Sequence, residues 1–223
     1  LKHTRHLVQA RAGVDILREP VAVAPAMHRN MGGILVDLDG ATSIEGLFAA
    51  GECASSGAHG ANVLGGNTLT DSLVFGRRAG LAAGRYASEI SAVPVTKWSA
   101  SNAAGKETPQ VRKASSGEVR PSQIRKQLQA LMCENFGITR NAAGLKEGID
   151  GIRQLSEKIV EARISDRGEI FNWGILQHQE VVNMLLCAEA VAVTALAREE
   201  SRGTHSRSDH LERDDTHWLK HSL

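Results

Sequence analysis

The chain has 223 residues, enough to bury a sizeable core as one large domain or two small ones. Its 26 Lys and Arg stand against 25 Asp and Glu, so no field of one sign draws nucleic acid or an anionic membrane surface, and a small molecule is the expected partner. Cys53, Cys133 and Cys187 lie far apart with no Cys-x-x-Cys spacing, which speaks against a disulfide framework and against a zinc or iron–sulfur cage, and fits a reducing compartment.

No uninterrupted apolar run reaches the length a membrane-spanning helix needs, and the opening LKHTRHLVQARAG lacks the apolar centre of a signal peptide, so a chain that does not itself span a membrane is expected. A first residue of Leu1 reads as a fragment or a processed product. Residues 1–17 are helical in part, with Leu7, Val8, Ile16 and Leu17 apolar and Gly13 as the interruption. The run PVAVAP, Pro20 to Pro25, reads as an extended segment leading to His28. Residues 33–36 and 41–44 flank Asp37-Leu38-Asp39-Gly40, whose Asp-Gly pair is a hairpin signal, with Met31-Gly32-Gly33 at its entry.

Leu47 to Ala50 reads as a short buried strand ending at Gly51-Glu52. A glycine-studded loop follows, and then a helix from about Thr68 to Ile90, with Asn67 or Thr68 as its cap and a face of small residues at Gly76, Ala79, Gly80, Ala83 and Gly84. A strand delivering one acid to a loop, followed by a helix N-terminus, is how α/β proteins meet the polar part of a cofactor.

From Ser91 to Arg120 the composition shifts to Ser, Ala, Gly, Lys and Pro without periodicity, which reads as a mobile connection and a domain boundary. Three amphipathic helices are predicted beyond it. The first starts at Pro121 with Ile124, Leu128 and Leu131 inward and stops near Gly137. The second carries Leu145, Ile149, Ile152, Leu155 and Ile159 on one face, and the third runs from Trp173 to about Ser201. Short connections imply an antiparallel bundle. The last twenty or so residues mix Arg, Asp and His; no pair of histidines has helical ligand spacing with a carboxylate to complete it, so Arg–Asp pairing is expected there and metal binding is not.

Three blocks then occur in a telling order: AMHRNMGG, the stretch from Gly46 to Gly80, and ESRGTHSRSDHLERDDTHWLKHSL. Together they resemble the C-terminal half of succinate dehydrogenase and fumarate reductase flavoprotein subunits, to which L-aspartate oxidase is related. The resemblance implies an α/β fragment of an FAD-binding domain (residues 1–91), a linker (92–120), an all-α antiparallel three-helix bundle (121–201) and a charged tail (202–223) packing back on the FAD domain. It implies that His28 binds a substrate carboxylate, that Glu52 meets FAD, and that the amides of Thr68 and Leu69 meet the flavin pyrimidine. Gly33, His59 and Asn67 fall in the same matched blocks and are assigned to the cofactor with them.

One position departs from the family pattern. His59-Gly60-Ala61-Asn62 and Leu64-Gly65-Gly66-Asn67 match, but Val63 stands where the family has an arginine that clamps a carboxylate. Arg29, one residue from His28, would point to the opposite face of an extended chain, and Arg77 and Arg78 lie well inside a helix, so none is a ready substitute. No Gly-x-Gly-x-x-Gly lies between a strand and a helix in these residues, so the pyrophosphate half of an FAD site is expected outside them.

The expected function is part of an FAD-dependent oxidoreductase interconverting succinate and fumarate. The alternatives are a related flavoprotein with another substrate, and a non-catalytic assembly module. The implied partners are a dicarboxylate, the N-terminal flavoprotein half and an iron–sulfur subunit, with a cytoplasmic location, peripheral on the inner membrane through partner subunits.

Overall fold

The computed structural model describes residues 2–90, 117–166, 168 and 171–222, so most of the expected linker lies outside the described residues. Helix α1 (Lys2–Ala12) buries no residue. It ends where Gly13 adopts φ 71°, and Arg5 closes the turn by donating to both carboxylate oxygens of Asp15 at 2.8 and 2.6 Å. The PVAVAP segment forms neither helix nor strand.

Two short strands, β1 (Ile34–Leu35) and β2 (Ala54–Ser55), pair in parallel. Gly33 admits this pairing: at φ 143° a Cβ on it would lie 2.5 Å from the carbonyl oxygen of Cys53. The Asp39-Gly40 turn forms as expected, with Asp37 Oδ1 accepting from the amides of Asp39 and Ala41 at 2.8 and 2.9 Å. The returning chain does not pair back on residues 33–36. Ala41 forms an antiparallel bridge onward to Phe48, and Ala49 N–H donates to Gly40 O at 2.9 Å. The strand expected over Leu47–Ala50 is therefore reduced to that bridge. Gly46 and Gly51, with φ 78° and 74°, bend the chain on either side of it. A 3-10 turn at Gly51–Cys53 then leads into β2.

Helix α2 spans Asn67–Glu89, within a residue of the expected span. Its cap differs from expectation: Gly66, left-handed at φ 85°, is the N-cap, and no side chain bonds the first turn. A glycine there makes the sharp entry without strain, so Asn67 and Thr68 are already helical. Ala79 packs on Gly40, where a Cβ would come within 2.5 Å of the Ala79 Cβ, whereas Gly76, Gly80 and Gly84 meet nothing within 4 Å. The small-residue face is used at that one point among the described residues. Arg78 anchors the Asp37–Gly40 turn by donating to Leu38 O and Asp39 Oδ1 at 2.5 and 3.0 Å.

Helices α3 (Pro121–Asn135), α4 (Ala142–Val160) and α5 (Trp173–Ala197) form the bundle. All five apolar positions predicted for α4 are buried, against Ile124, Leu128 and Phe136 on one side and Val181, Leu185 and Ala192 on the other. Each helix start has a local reason. Pro121 sits in the first turn of α3 and Gln123 Oε1 accepts from Arg120 N–H at 2.8 Å. Asn141 caps α4 by accepting from Gly144 N–H at 2.9 Å, and Asn172 caps α5 by accepting from Ile175 N–H at 3.0 Å. By length and composition α5 is apolar enough to cross a membrane. Its inner face, including His178, Val181 and Leu185, is the core of the bundle, while Trp173, Leu176, Leu186 and Val193 lie exposed on its other sides.

The C-terminal residues clasp one end of the bundle. Strands β3 (Thr139–Arg140) and β4 (Ser206–Arg207) pair in parallel. Arg140 Nε donates to Phe136 O and Gly137 O just past α3, and Asp209 Oδ2 accepts from Ala142 N–H at 2.7 Å at the start of α4. Arg207 Nη1 donates to Ala195 O, Leu196 O and Arg198 O at 3.2, 3.3 and 3.0 Å at the end of α5. Two helices end and one begins at the same pole, so successive helices alternate in direction. The expected Arg–Asp pairing is present: Arg207 forks onto Asp209, and fully buried Glu200 lies between Arg198 and Arg202. Most of these bonds go to the helix ends, and the tail also reaches the first part of the chain at Gly57 and Ala61.

Candidate functional site

The first part of the chain brings several of the expected site residues to one place, at the start of α2. Gly33 is held against Cys53 by the β1–β2 pairing, which fixes neighbouring Glu52 at the edge of the 3-10 turn. The Glu52 side chain is 66% exposed. Across from it, Asn67, Thr68 and Leu69 form the opening turn of α2, which has no side-chain cap. Early amides of such a helix have no partner four residues back, and they carry the positive end of its dipole.

Arg29 joins the two sides. Its Nη1 donates to Thr68 Oγ1 at 2.8 Å, and its Nε lies 3.9 Å from Glu52 Oε1, an ion-pair distance but too long for a hydrogen bond. The Arg29 side chain is only 9% exposed, while His28 is exposed. The structure thus keeps Arg29 apart from the His28 side and seats it beside Glu52 and Thr68 instead. Its buried Nε has no hydrogen-bond partner.

His59 is tied to the same helix. Its Nε2 lies 2.9 Å from Oδ1 of Asp71, a buried acid one turn into α2. Since a carboxylate only accepts, the imidazole donates from Nε2, which leaves Nδ1 as an acceptor in the neutral ring. Asp71 also lines a small cavity with Val36, Gly40, Ala49 and Phe75. Sequence reasoning passed over Asp71; the one available signal was an acid in the first turns of a helix already singled out for its N-terminus. Val63 is half-buried and offers neither charge nor donor.

The loop that carries His59 and Val63 is braced by the tail. Thr204 donates to Ala61 O from both its amide, at 3.4 Å, and its hydroxyl, at 3.3 Å. Gly203, at φ 58°, packs so closely that a Cβ would lie 2.5 Å from the same oxygen. Further along the tail, His205 accepts from Arg140 Nη1 at Nδ1 and donates from Nε2 to Arg198 O, both at 3.1 Å, which fixes a neutral ring; burial pushes its pKa below the usual histidine value. Hydrogen bonding from Arg202 is the largest influence that holds the Glu200 carboxyl down at about 2. Among the described residues no three or more His, Cys, Asp or Glu are placed to hold a metal ion.

Two family models match the chain: an FAD-binding domain over residues 1–69, and the C-terminal domain of the fumarate reductase flavoprotein over residues 125–223. The first takes in Arg29, Glu52, Thr68 and Leu69, the second the bundle and its clasp. The chain is 41% identical over 220 residues to a fumarate reductase flavoprotein subunit of Haemophilus influenzae, covering 97% of this chain and 36% of that one. It is 37% identical to a succinate dehydrogenase flavoprotein subunit of Coxiella burnetii, covering 95% and 38% respectively. Among solved structures it superposes on a quinol fumarate reductase of Escherichia coli with a TM-score of 0.86 at 38% identity, over 97% of this chain and 37% of that one. A quinol–fumarate reductase with menaquinol gives a TM-score of 0.90 at 38% identity, over 99% and 39%. The chain therefore spans between a third and two fifths of the length of the relatives it matches. It belongs to the fumarate reductase and succinate dehydrogenase flavoprotein family, and it carries the edge of the FAD-binding domain together with the C-terminal bundle of that family.

Proposed function

We propose that this chain is the C-terminal portion of an FAD-dependent oxidoreductase that interconverts succinate and fumarate. The observation that carries the reading is the donor set at the head of α2, where an uncapped helix start, an exposed carboxylate and a buried guanidinium nitrogen without a partner converge in the segment matched by the FAD-binding model. These groups fit FAD chemically. Glu52 accepts hydroxyl hydrogen bonds from a sugar-like chain, and the first-turn amides of α2 donate to a ring carbonyl and favour negative charge there. Two-electron transfer as hydride is the chemistry that FAD supplies when bound.

The chain's own residues bind and orient. His28, exposed where Arg29 is buried, receives a substrate carboxylate. His59 is held by Asp71 in the loop it shares with Val63. Asn67 and Gly33 hold the backbone that presents Thr68, Leu69 and Glu52. The names of the matched relatives favour succinate and fumarate over another substrate.

The remainder of the flavoprotein is the first partner in this reading. Leu69, Leu73, Val74 and Leu81 of α2 are all at least 49% exposed, an apolar strip suited to burial by more of an FAD-binding domain. An iron–sulfur subunit as electron partner and a peripheral position on the cytoplasmic face of a membrane complete the proposal, in keeping with the quinol–fumarate reductases on which the chain superposes. Co-expression of the chain with the N-terminal remainder of the flavoprotein tests it. The purified assembly is expected to show bound-flavin absorbance and dye-coupled succinate oxidation, and an assembly that forms without retaining flavin refutes the proposal.

A further inference from the structure

We propose that Arg29 is a fixed cation beside the flavin that stabilises its reduced form and raises its reduction potential, an inference that rests on the FAD reading above. The Arg29 side chain is nine-tenths buried, yet its Nε–H has no partner. A buried guanidinium nitrogen left undonated is costly unless something completes it. The rest of the guanidinium is already placed, with Nη1 donating to Thr68 Oγ1 in the first turn of α2. That bond sets the charge of Arg29 at the positive end of the helix dipole, so two sources of positive potential act on one point.

The third group selects the ligand. Glu52, 3.9 Å from Arg29 Nε, would repel a group that arrives with its full negative charge, such as a pyrophosphate or a dicarboxylate. It tolerates a neutral ring bearing a hydroxylated chain. A flavin is such a group: neutral when oxidised, it takes up two electrons and one proton and so gains one negative charge, spread over its pyrimidine edge. An arginine at this edge acts chiefly on the reduced form, and a differential interaction of that kind moves a redox equilibrium without requiring tight binding of the oxidised cofactor.

The test uses the flavin-loaded assembly, with the two-electron midpoint potential read against a reference dye and FAD affinity read by fluorescence. Arg29→Gln is expected to lower the preference for reduced over oxidised flavin about tenfold, equivalent to a drop of about 30 mV for a two-electron couple. Oxidised FAD is expected to bind within about threefold of the parent. Arg29→Lys retains the charge and is expected to recover more than half of the shift. If both variants hold FAD and the preference moves less than about twofold, the inference is overturned while the FAD reading stands. If the parent assembly takes up no FAD, both fall together. Should the Gln variant misfold, the Lys variant alone decides: a midpoint as low as that of an Arg29→Met variant overturns the electrostatic role.

Discussion

Replacing Arg207 by methionine removes the group that holds one pole of the bundle together. The Arg207 side chain is 1% exposed, donates to three carbonyls at the end of α5, and forks onto Asp209 at 2.7 and 2.9 Å. Methionine fills similar space but donates nothing, so Asp209 loses its counter-ion and the carbonyls lose a charged donor. The guanidinium is buried but the Asp209 side chain is 32% exposed and can turn to water, so the loss is that of charge-assisted hydrogen bonds, about 1.5–3 kcal/mol. In a chain of this size each kcal/mol shifts Tm by about 2–4 °C, so a fall of roughly 3–12 °C is expected in a calorimetric or circular-dichroism melt. Arg207→Lys keeps a charge but cannot span carboxylate and carbonyls together, and roughly half the loss is expected. Because the group is enclosed, raising the salt should leave the difference largely intact. A methionine variant that melts within about 2 °C of the parent, or one whose deficit vanishes in high salt, refutes the reasoning.

Three further outcomes follow from the same contacts. Glu200 titrates at about 2 in the fold against 4.5 ordinarily, so its contribution is complete above pH 4.5 and is lost as the pH falls toward 2; His205, lowered by burial from 6.5, adds a loss that begins as the pH drops below that value. Denaturant unfolding at pH 7, near 5.5 and near 3.5 should give successively lower stability, and a flat profile would exclude both groups as determinants. Gly203→Ala, at φ 58° with Ala61 O in the way, is expected to cost about 1–3 kcal/mol and to weaken FAD retention by displacing the His59 loop; loss of stability with unchanged flavin binding would uncouple tail from loop. Val63→Arg introduces a donor fork beside the substrate side, and a gain of about 1.5–3 kcal/mol should appear as a KM for fumarate lower by about tenfold or more in a flavin-loaded assembly. An unchanged KM would show that Val63 is not where a carboxylate lies.

The bundle was legible because its information is local: Leu145, Ile149, Ile152, Leu155 and Ile159 repeat at helical spacing, and all are buried. The helix caps Asn141 and Asn172 follow from the same local rules. The first part was harder to read. Leu47 to Ala50 has the composition of a buried strand, yet glycines on both sides leave it one bridge, and most of its apolar neighbours face outward in a chain that covers about a third of its relatives' length. The cap of α2 lies one or two residues before the expected Asn67 or Thr68 because a left-handed glycine does by backbone geometry what Asn or Thr does with a side chain. Asp71 and the inward seat of Arg29 were invisible for another reason. Their partners, His59 and Thr68, are 12 and 39 residues away, and no periodicity encodes such a pairing. The tail's Arg–Asp pairs could be foreseen from composition, but not that they would address the helix ends.

The clasp made by residues 200–218 also bears on the order of assembly. The three helices precede Arg207 and Asp209 in the chain, and the closure of their meeting pole by Arg207 and Asp209 waits until those residues are in place. Hydrophobic collapse of the bundle can begin on the ribosome, but the last interactions to form join residues about 70 positions apart, such as Asp209 to Ala142 and Ser208 to Arg140. Until then the bundle is held by its packing and by contacts between its own helices, such as Arg153–Glu189 and His178 to Ile159 O. A chain clipped before Arg207 would keep the helix–helix packing but fray at that pole, where the carbonyls ending α5 and the first amide of α4 lose their donors and acceptor.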